Sequence, residues 1–199
     1  SGFYESNSHN IVEIDTCYTQ DEESDKIVAT IKAFMIKMHF NAYDEDRRTG
    51  LIRHVLIKRS KITKEIMVVI VTGTDVFPGC QNFVKALTAR HKDITTIIQN
   101  VNNKKTSAVL GDKEKILYGK GFITDILLGK KFKISAKSFY QINPTQCAVL
   151  YSKALELANL SKSDILLDAY CGVGTIGIVA SDKVNKVIGV ELVKEAVND

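Results

Sequence analysis

The 199-residue sequence contains no tryptophan, only two prolines and only four cysteines. The cysteines, Cys17, Cys80, Cys147 and Cys171, form no C-x-x-C pair, which argues against a self-contained zinc site. Every apolar run ends short of the ~20 residues that a membrane span needs, and the polar N-terminus has no signal-peptide pattern. These absences predict a globular, cytoplasmic protein with no membrane partner.

The charged residues that are present follow an uneven pattern. Apolar residues make up 45% and charged residues 25% of the chain, and the formal net charge is +4, as in many soluble domains. Lysine and arginine cluster in two stretches, 47–64 and 104–133. This surplus permits RNA binding without demonstrating it, and a solvated basic face is an equal alternative.

The first 132 residues combine helix and strand patterns. Ser24 is placed to cap a helix that ends near Asn41, and a second helix is predicted from about Cys80 to His91. Three apolar segments have strand character, and the first two form an antiparallel hairpin: 51–60, 65–73 and 94–102. We predict an α+β domain over residues 1–132, in which two helices cover one face of a mainly antiparallel sheet.

Residues 133–199 have a different pattern. Asn143 and Pro144 begin a helix, and its predicted apolar face consists of Val149, Leu150, Ala154, Leu155 and Leu157. An apolar strand, a glycine turn, a helix and a second strand follow over residues 164–191, which is the start of an α/β, Rossmann-like domain. Because such a sheet needs further βα units, we expect a truncated domain whose exposed sheet favours self-association.

The glycine turn leaves two cofactor classes open. GVGTIG at 172–177 matches the dinucleotide fingerprint G-x-G-x-x-G, and Glu191 follows at about the expected distance for an acid that binds ribose hydroxyls. However, Asp168 ends the first strand and three residues separate it from Gly172, an order that resembles the first motif of S-adenosylmethionine-dependent methyltransferases. A dinucleotide enzyme, a methyltransferase and a purely structural glycine turn all fit at this point.

Five segments of the chain carry a combined pattern: GFYESNSHNIVEIDTC, GLIRHVLIKR, ISAKSFYQINPTQ, LLDAYCGVGTIG and VIGVE. Together they resemble the RNA uracil-5-methyltransferases, which form 5-methyluridine in ribosomal or transfer RNA. The resemblance implies an α+β central domain followed by the first part of a class I S-adenosylmethionine-dependent methyltransferase domain. It is nearest to the bacterial 23S rRNA (uracil-5-)-methyltransferases. A tRNA uracil-5-methyltransferase, a dinucleotide-dependent oxidoreductase and a noncatalytic RNA-binding module remain the alternatives.

The resemblance also implies roles for individual residues. The positions that contact or shape the S-adenosylmethionine pocket in the family correspond to Gln141, Asp168, Tyr170, Gly172, Gly174, Thr175 and Glu191. The substrate would be RNA, by this resemblance 23S rRNA. The RNA-contact candidates, on the predicted hairpin, are Arg53, His54, Lys58 and Arg59.

Some functional groups of the family are expected outside these 199 residues. Cys17 follows a strand of the I-V-x-I type, where members carry the fourth ligand of a 4Fe-4S cluster, but the other three ligands and a TRAM region would precede this chain. The cysteine that adds to C6 of uracil and the general base are expected beyond Asp199. Cys171 matches the cofactor turn and not the nucleophile. We therefore predict weak cofactor binding and no methyl transfer by these residues alone.

Overall fold

The structure, a computed structural model, describes residues 2–198 except for the side chain of Glu195. The chain divides into two compact units, Ser1–Arg59 with Ile66–Gly121, and Ser60–Glu65 with Phe122–Asp199. The boundary predicted after residue 132 falls within the second unit, and the division into domains stays a prediction. Within residues 2–198, no helix combines the length and the apolar character needed to cross a membrane.

The first unit is built around a mixed four-stranded sheet. Its elements in chain order are β1 (Gly2–Tyr4), β2 (Ile11–Glu13), α1 (Glu22–Lys37), β3 (Ile52–Arg59), β4 (Ile66–Thr72), α2 (Cys80–Arg90), β5 (Ile94–Val101) and β6 (Lys113–Gly119). The strand order is β3-β4-β5-β6, while β1 and β2 form a separate hairpin. The predicted antiparallel pairing of β3 with β4 is confirmed, and β5 also pairs antiparallel with β6. β4 and β5 run parallel because α2 provides the crossover between them.

The core of the first unit lies between one face of this sheet and the two helices. Ile27 and Ile31 of α1 and Phe83 and Leu87 of α2 pack in one cluster with alternate residues of β4, so both helices cover one face of the sheet, as predicted. The predicted start of α1 is wrong, because the helix begins at Glu22 and not after Ser24. The Asp21 side chain accepts a hydrogen bond from the Glu23 N–H at 3.0 Å and so caps the helix. The helix ends at Lys37, before the predicted Asn41.

The second unit contains two separate strand pairs. Its elements are β7 (Ile123–Leu127), β8 (Lys130–Ile134), α3 (Pro144–Leu157), β9 (Ile165–Asp168), α4 (Thr175–Ala180), a 3₁₀ turn (Ser181–Lys183), β10 (Lys186–Gly189) and α5 (Lys194–Asn198). β7 and β8 form an antiparallel hairpin, and β9 pairs parallel with β10. The turn of residues 60–65 packs on β7, where the Ser60 hydroxyl donates to the buried Asp125 carboxylate at 2.5 Å.

Helix α3 begins as predicted but buries a different face. Asn143 is the N-cap, its side chain accepts from the Gln146 N–H at 3.1 Å, and Pro144 occupies the first turn. The buried residues are Cys147, Tyr151 and Leu155, spaced four apart. Val149, Leu150 and Leu157 are instead exposed, and so is Ala154, so the predicted apolar face is wrong except for Leu155. A thiol and a phenol ring supply apolar surface that counting aliphatic residues misses.

Candidate functional site

The glycine turn between β9 and α4 is the centre of the candidate site. Gly172 and Gly174 have positive φ angles of 56° and 75°, a left-handed conformation that glycine adopts without steric cost. A Cβ atom built on Gly172 would meet no atom within 4 Å, so the backbone there faces open space. The turn therefore offers an open stretch of backbone that a ligand can approach closely.

Asp168, at the end of β9, supports the start of the following helix. Its Oδ2 atom accepts a hydrogen bond from the Gly177 N–H at 3.2 Å. Because Gly174, the N-cap of α4, has no side chain to accept from the first turn, the carboxylate on the neighbouring strand does so instead. Gly177 itself lies against β10, since a Cβ atom there would stand 2.8 Å from Cγ1 of Val187. Strand, turn and helix are thus packed closely around one acid.

Glu191 joins the glycine turn to the segment that follows β10. Its Oε2 atom accepts from the Gly172 N–H at 2.9 Å, and its Oε1 atom accepts from the Val193 N–H at 2.8 Å. These backbone hydrogen bonds, first that of Val193 and then that of Gly172, lower the pKa of Glu191 below its ordinary value. An ionised acceptor consequently stands beside the open backbone of the turn.

Tyr151 contacts Thr175 of the predicted site, and sequence reasoning did not find it. Its hydroxyl lies 3.1 Å from Oγ1 of Thr175, the first residue of α4. Burial raises the pKa of this phenol, and Gln141, another residue of the predicted site, is exposed two residues before the N-cap of α3. The signal in the sequence was the four-residue spacing of Cys147, Tyr151 and Leu155, which places Tyr151 on the buried face of α3.

The remaining residues of the turn differ in exposure. Tyr170 is 95% exposed, so its ring is free to cover a bound ligand. The Cys171 thiol has a raised pKa because of burial and the neighbouring negative charges of Asp168 and Glu191. A raised pKa disfavours the reactive thiolate, which agrees with a place in the turn and not in nucleophilic catalysis.

Arg53, predicted as an RNA contact, has its hydrogen-bond donors bound to other groups of the first unit. Its side chain is 3% exposed, and the guanidinium donates to both carboxylate oxygens of Glu45, at 2.6 and 2.8 Å. The other three N–H groups donate to the carbonyl oxygens of Asn102, Lys104 and Thr106, each at 3.1 Å. All five donors of the side chain are used, so the geometry does not support direct contact with a phosphate.

The other three predicted RNA contacts also lie in β3. Nη1 of Arg59 lies 2.6 Å from both carboxylate oxygens of Asp21. His54 has a lowered pKa because of burial and the charge of Arg53, which favours its neutral form. Lys58 is half-buried, opposite Met67 of β4. The structure therefore does not bring these side chains together as an open cationic patch.

Cys17, the predicted cluster ligand, follows β2 and is partly exposed. Its Sγ atom lies 3.2 Å from Oγ1 of Thr19, and this hydrogen bond lowers the pKa of the thiol. In the part of the chain that the structure describes, no group of three or more histidine, cysteine or acidic side chains is placed to hold a metal ion. A role for Cys17 in a cluster of a longer protein stays a prediction.

Comparisons with known proteins show that the chain is similar to RNA methyltransferases. Residues 74–199 match the family described as tRNA (Uracil-5-)-methyltransferase. Over all 199 residues the chain is 43% identical to an "Uncharacterized RNA methyltransferase" from Oceanobacillus iheyensis and 42% identical to one from Halalkalibacterium halodurans. It covers 43% of each of these relatives, so it spans less than half of their length.

A solved structure shows the same fold over nearly the whole chain. It is the crystal structure of the Pyrococcus abyssi tRNA (uracil-54, C5)-methyltransferase in complex with S-adenosyl-L-homocysteine. The two share 28% sequence identity with a TM-score of 0.79, and the match covers 95% of this chain and 45% of that one. The geometry of the glycine turn thus occurs within a fold that a cofactor-bound relative also has.

Proposed function

Because the chain belongs to the tRNA (uracil-5-)-methyltransferase family, as its motifs predicted, we propose that the protein containing it methylates C5 of uridine in RNA. S-adenosylmethionine is the proposed cofactor, and the chain supplies part of its pocket. The observation that carries this proposal is the pair of acids, Asp168 and Glu191, that hold the two sides of the glycine turn through backbone N–H groups.

The residues of the turn fit this cofactor. Glu191 is the proposed acceptor for two ribose hydroxyls, because its pKa is lowered and it follows β10 beside the open backbone of Gly172. Tyr170, with its exposed ring, would cover the adenosine, and Gln141 would offer an amide to the amino-acid end. Thr175 and Gly174 shape the start of α4, and Asp168 fixes that helix start. When bound, the cofactor supplies an electrophilic methyl group.

The proposed substrate is RNA, and the chemistry of the transfer needs residues that this chain does not supply. The resemblance of the motifs favours 23S rRNA, while the similar solved structure is that of a tRNA enzyme, which makes tRNA the second candidate. We propose that the cysteine adding to C6 of uracil and the general base belong to a region after residue 199. A 4Fe-4S cluster with Cys17 as one ligand would belong to the longer protein too.

Two measurements on the full-length protein test the proposal. Isothermal titration should show binding of S-adenosylhomocysteine and none of NAD⁺. Incubation with methyl-labelled S-adenosylmethionine and in vitro transcribed 23S rRNA or tRNA should give labelled 5-methyluridine after nuclease digestion. Binding of NAD⁺ alone would favour an oxidoreductase. RNA binding without any affinity for S-adenosylhomocysteine would favour a noncatalytic module, and label at another base would refute the uridine assignment.

A further inference from the structure

The buried guanidinium of Arg53 organises a loop that is itself fully exposed. The three carbonyl oxygens that it binds belong to residues 102–106, at the end of β5. Every residue from 103 to 109 is exposed. The carbonyls of this loop therefore point inward to a buried cation while its side chains point to solvent.

Two buried asparagines, Asn100 in β5 and Asn102 directly after it, hold the ends of the same loop. Asn102 donates from its side chain to the carbonyl of Ala108 at 2.7 Å and accepts from the Lys104 N–H at 3.3 Å. Asn100 exchanges two hydrogen bonds with the backbone of Gly111, at 2.7 and 3.0 Å. Both asparagines are at most 1% exposed. Loops ordered this thoroughly by a rigid scaffold are typical of binding surfaces.

A second exposed segment is fixed beside the first. In the turn 44–49, the Asp44 N–H donates to the carbonyl of Thr49 at 2.7 Å, and the Asp44 side chain accepts from two further N–H groups of the turn. Glu45 connects this turn to Arg53, and the Arg48 guanidinium donates to the carbonyl of Asn103 at 3.2 Å. The turn 44–49 and the loop 103–109 together form what we call the two-loop surface.

The exposed charges of the two-loop surface favour a polyanion. Its four exposed cations are Arg47, Arg48, Lys104 and Lys105. The acids nearby already have partners, since Glu45 pairs with Arg53, Asp46 with His9, and Asp44 lies 3.8 Å from Arg47. Lys104 is paired with Asp112. Among residues 2–198, Lys105 has no carboxylate partner, and Arg48 binds only a carbonyl.

We propose that the two-loop surface contacts the phosphodiester backbone of the RNA substrate, and that Arg53 is a positioning residue that presents it. This inference rests on the proposed function and names the surface through which the RNA is held. Arginine and lysine side chains on a preformed loop match phosphate oxygens in charge and hydrogen bonding without reading the base sequence. The surface would therefore contribute affinity and orientation more than sequence preference.

The charge contribution is tested by RNA binding at several salt concentrations. The full-length protein, the double variant Arg48→Gln/Lys105→Gln and a matched control, Lys85→Gln/Arg90→Gln on the exposed side of α2, are titrated with an in vitro transcribed uridine-containing RNA hairpin. Loss of two phosphate contacts should weaken binding by roughly tenfold at low salt and reduce the slope of log affinity against log salt by about 1 to 2. The control should keep the wild-type slope. Equal losses in both variants, or in neither, would overturn the proposal.

The positioning role of Arg53 is tested by a variant that keeps its charge. Arg53→Lys cannot replace five donors, so RNA affinity should fall severalfold and amide hydrogen exchange in residues 103–109 should become faster, while the salt slope stays near that of wild type. Unchanged affinity together with faster exchange would refute the role. Titration of the same samples with S-adenosylhomocysteine distinguishes failure of the proposed function from failure of the RNA surface. A wild-type protein that binds RNA but not this ligand would contradict the proposed function without contradicting the RNA surface.

Discussion

The two parallel strand pairs found within residues 2–198 differ sharply in burial. In β4, which pairs with β5, residues 67–71 are all 0% exposed. In β9, which pairs with β10, Ile165 and Leu167 are 62% and 61% exposed. Parallel strands are normally covered on both faces. Among the described residues, the pair that carries the candidate site is thus the less buried one, and of β9 only Leu166 packs against a core cluster.

The acids of the two regions show the same difference. Glu45 is half-buried, and both of its carboxylate oxygens accept hydrogen bonds from the guanidinium of Arg53. Glu191 has no side-chain partner among the described residues and binds two backbone N–H groups beside an open turn. A paired, shielded acid stabilises its surroundings, whereas an acid held only by the backbone keeps lone pairs for a ligand. Acids of the first kind belong to the scaffold and acids of the second kind to the site, and six substitutions test this difference.

The largest effect is expected from Glu45→Ala in the first unit. Removal of the carboxylate leaves the nearly buried Arg53 cation without the one acidic partner that it has among the described residues, which costs roughly 3–5 kcal/mol. Urea unfolding followed by circular dichroism measures the loss. Asp46→Ala, one residue further along and 76% exposed at its side chain, is the control and should change stability by less than ~1 kcal/mol. Similar losses in both would show that Glu45 is no scaffold residue.

Ile70→Ala and Leu167→Ala compare the strands directly. Ile70 lies at 0% exposure in β4, so truncation leaves a cavity and should cost about 2–5 kcal/mol. Leu167 is 61% exposed in β9, and its truncation should cost less than ~1 kcal/mol. Unfolding curves for both variants provide the measurement. A large loss at Leu167 would mean that its face is covered in solution, for example by the predicted self-association, which light scattering would detect.

Gly177→Ala should damage the site through packing. The added methyl would stand 2.8 Å from Cγ1 of Val187, and forcing it into a packed contact costs about 1–3 kcal/mol and displaces α4 from β10. S-adenosylhomocysteine affinity of the full-length protein should fall with it. Adding Val187→Ala removes the clashing atom and should restore part of the affinity. If Val187→Ala restores no affinity, the idea that Gly177 is needed for close packing of α4 on β10 is wrong.

Glu191→Gln should separate binding from stability. The amide keeps an oxygen acceptor for one N–H group but loses the charge, so unfolding should change little while S-adenosylhomocysteine affinity falls roughly tenfold to a hundredfold. Because the pKa of Glu191 is lowered, its ionised form persists below its ordinary pKa of 4.5. Wild-type affinity should therefore stay level as the pH falls to about 4.5 and decline only below it. A decline that begins near neutral pH would contradict this assignment.

The smallest effect is expected from Tyr151→Phe, which removes only the hydroxyl that meets Thr175. The loss of one partly buried hydrogen bond costs about 0.5–1.5 kcal/mol. If the hydroxyl positions Thr175, the variant should also bind S-adenosylhomocysteine a few times more weakly, and this difference should vanish in a Thr175→Val background. Tyr118→Phe, in the exposed strand β6, is the control. Additive effects of the two substitutions would show that Tyr151 does not act through Thr175.

Much of the local structure could be predicted from the sequence because local physics decides it. Two apolar segments joined by a polar link gave the β3–β4 hairpin, Pro144 gave the start of α3, and the order of Asp168, the glycines and Glu191 gave the strand–turn–helix–strand unit. The comparisons confirm the family to which these motifs pointed. The S-adenosylmethionine contacts and the RNA class stay proposals.

Other features could not be read from residue types alone. A helix cap depends on which acceptor reaches the first free N–H group, and Asp21 reached it where Ser24 was expected. The buried face of α3 depends on what packs against it, which selected Cys147 and Tyr151 over three exposed aliphatic residues. Local patterns limit which residues could cap a helix or form its buried face, and tertiary packing determines which of them do.

The sequence by itself determined the glycine turn and its flanking acids, since backbone freedom and strand ends follow from residues close together in the chain. Only the tertiary structure decided which groups Arg53 binds. Its position in the sequence had suggested an RNA contact. Its five donors find one carboxylate eight residues away and three carbonyls about fifty residues away. An arginine is chemically suited to a phosphate or to a buried carboxylate, and only the folded chain determines which partner lies within reach.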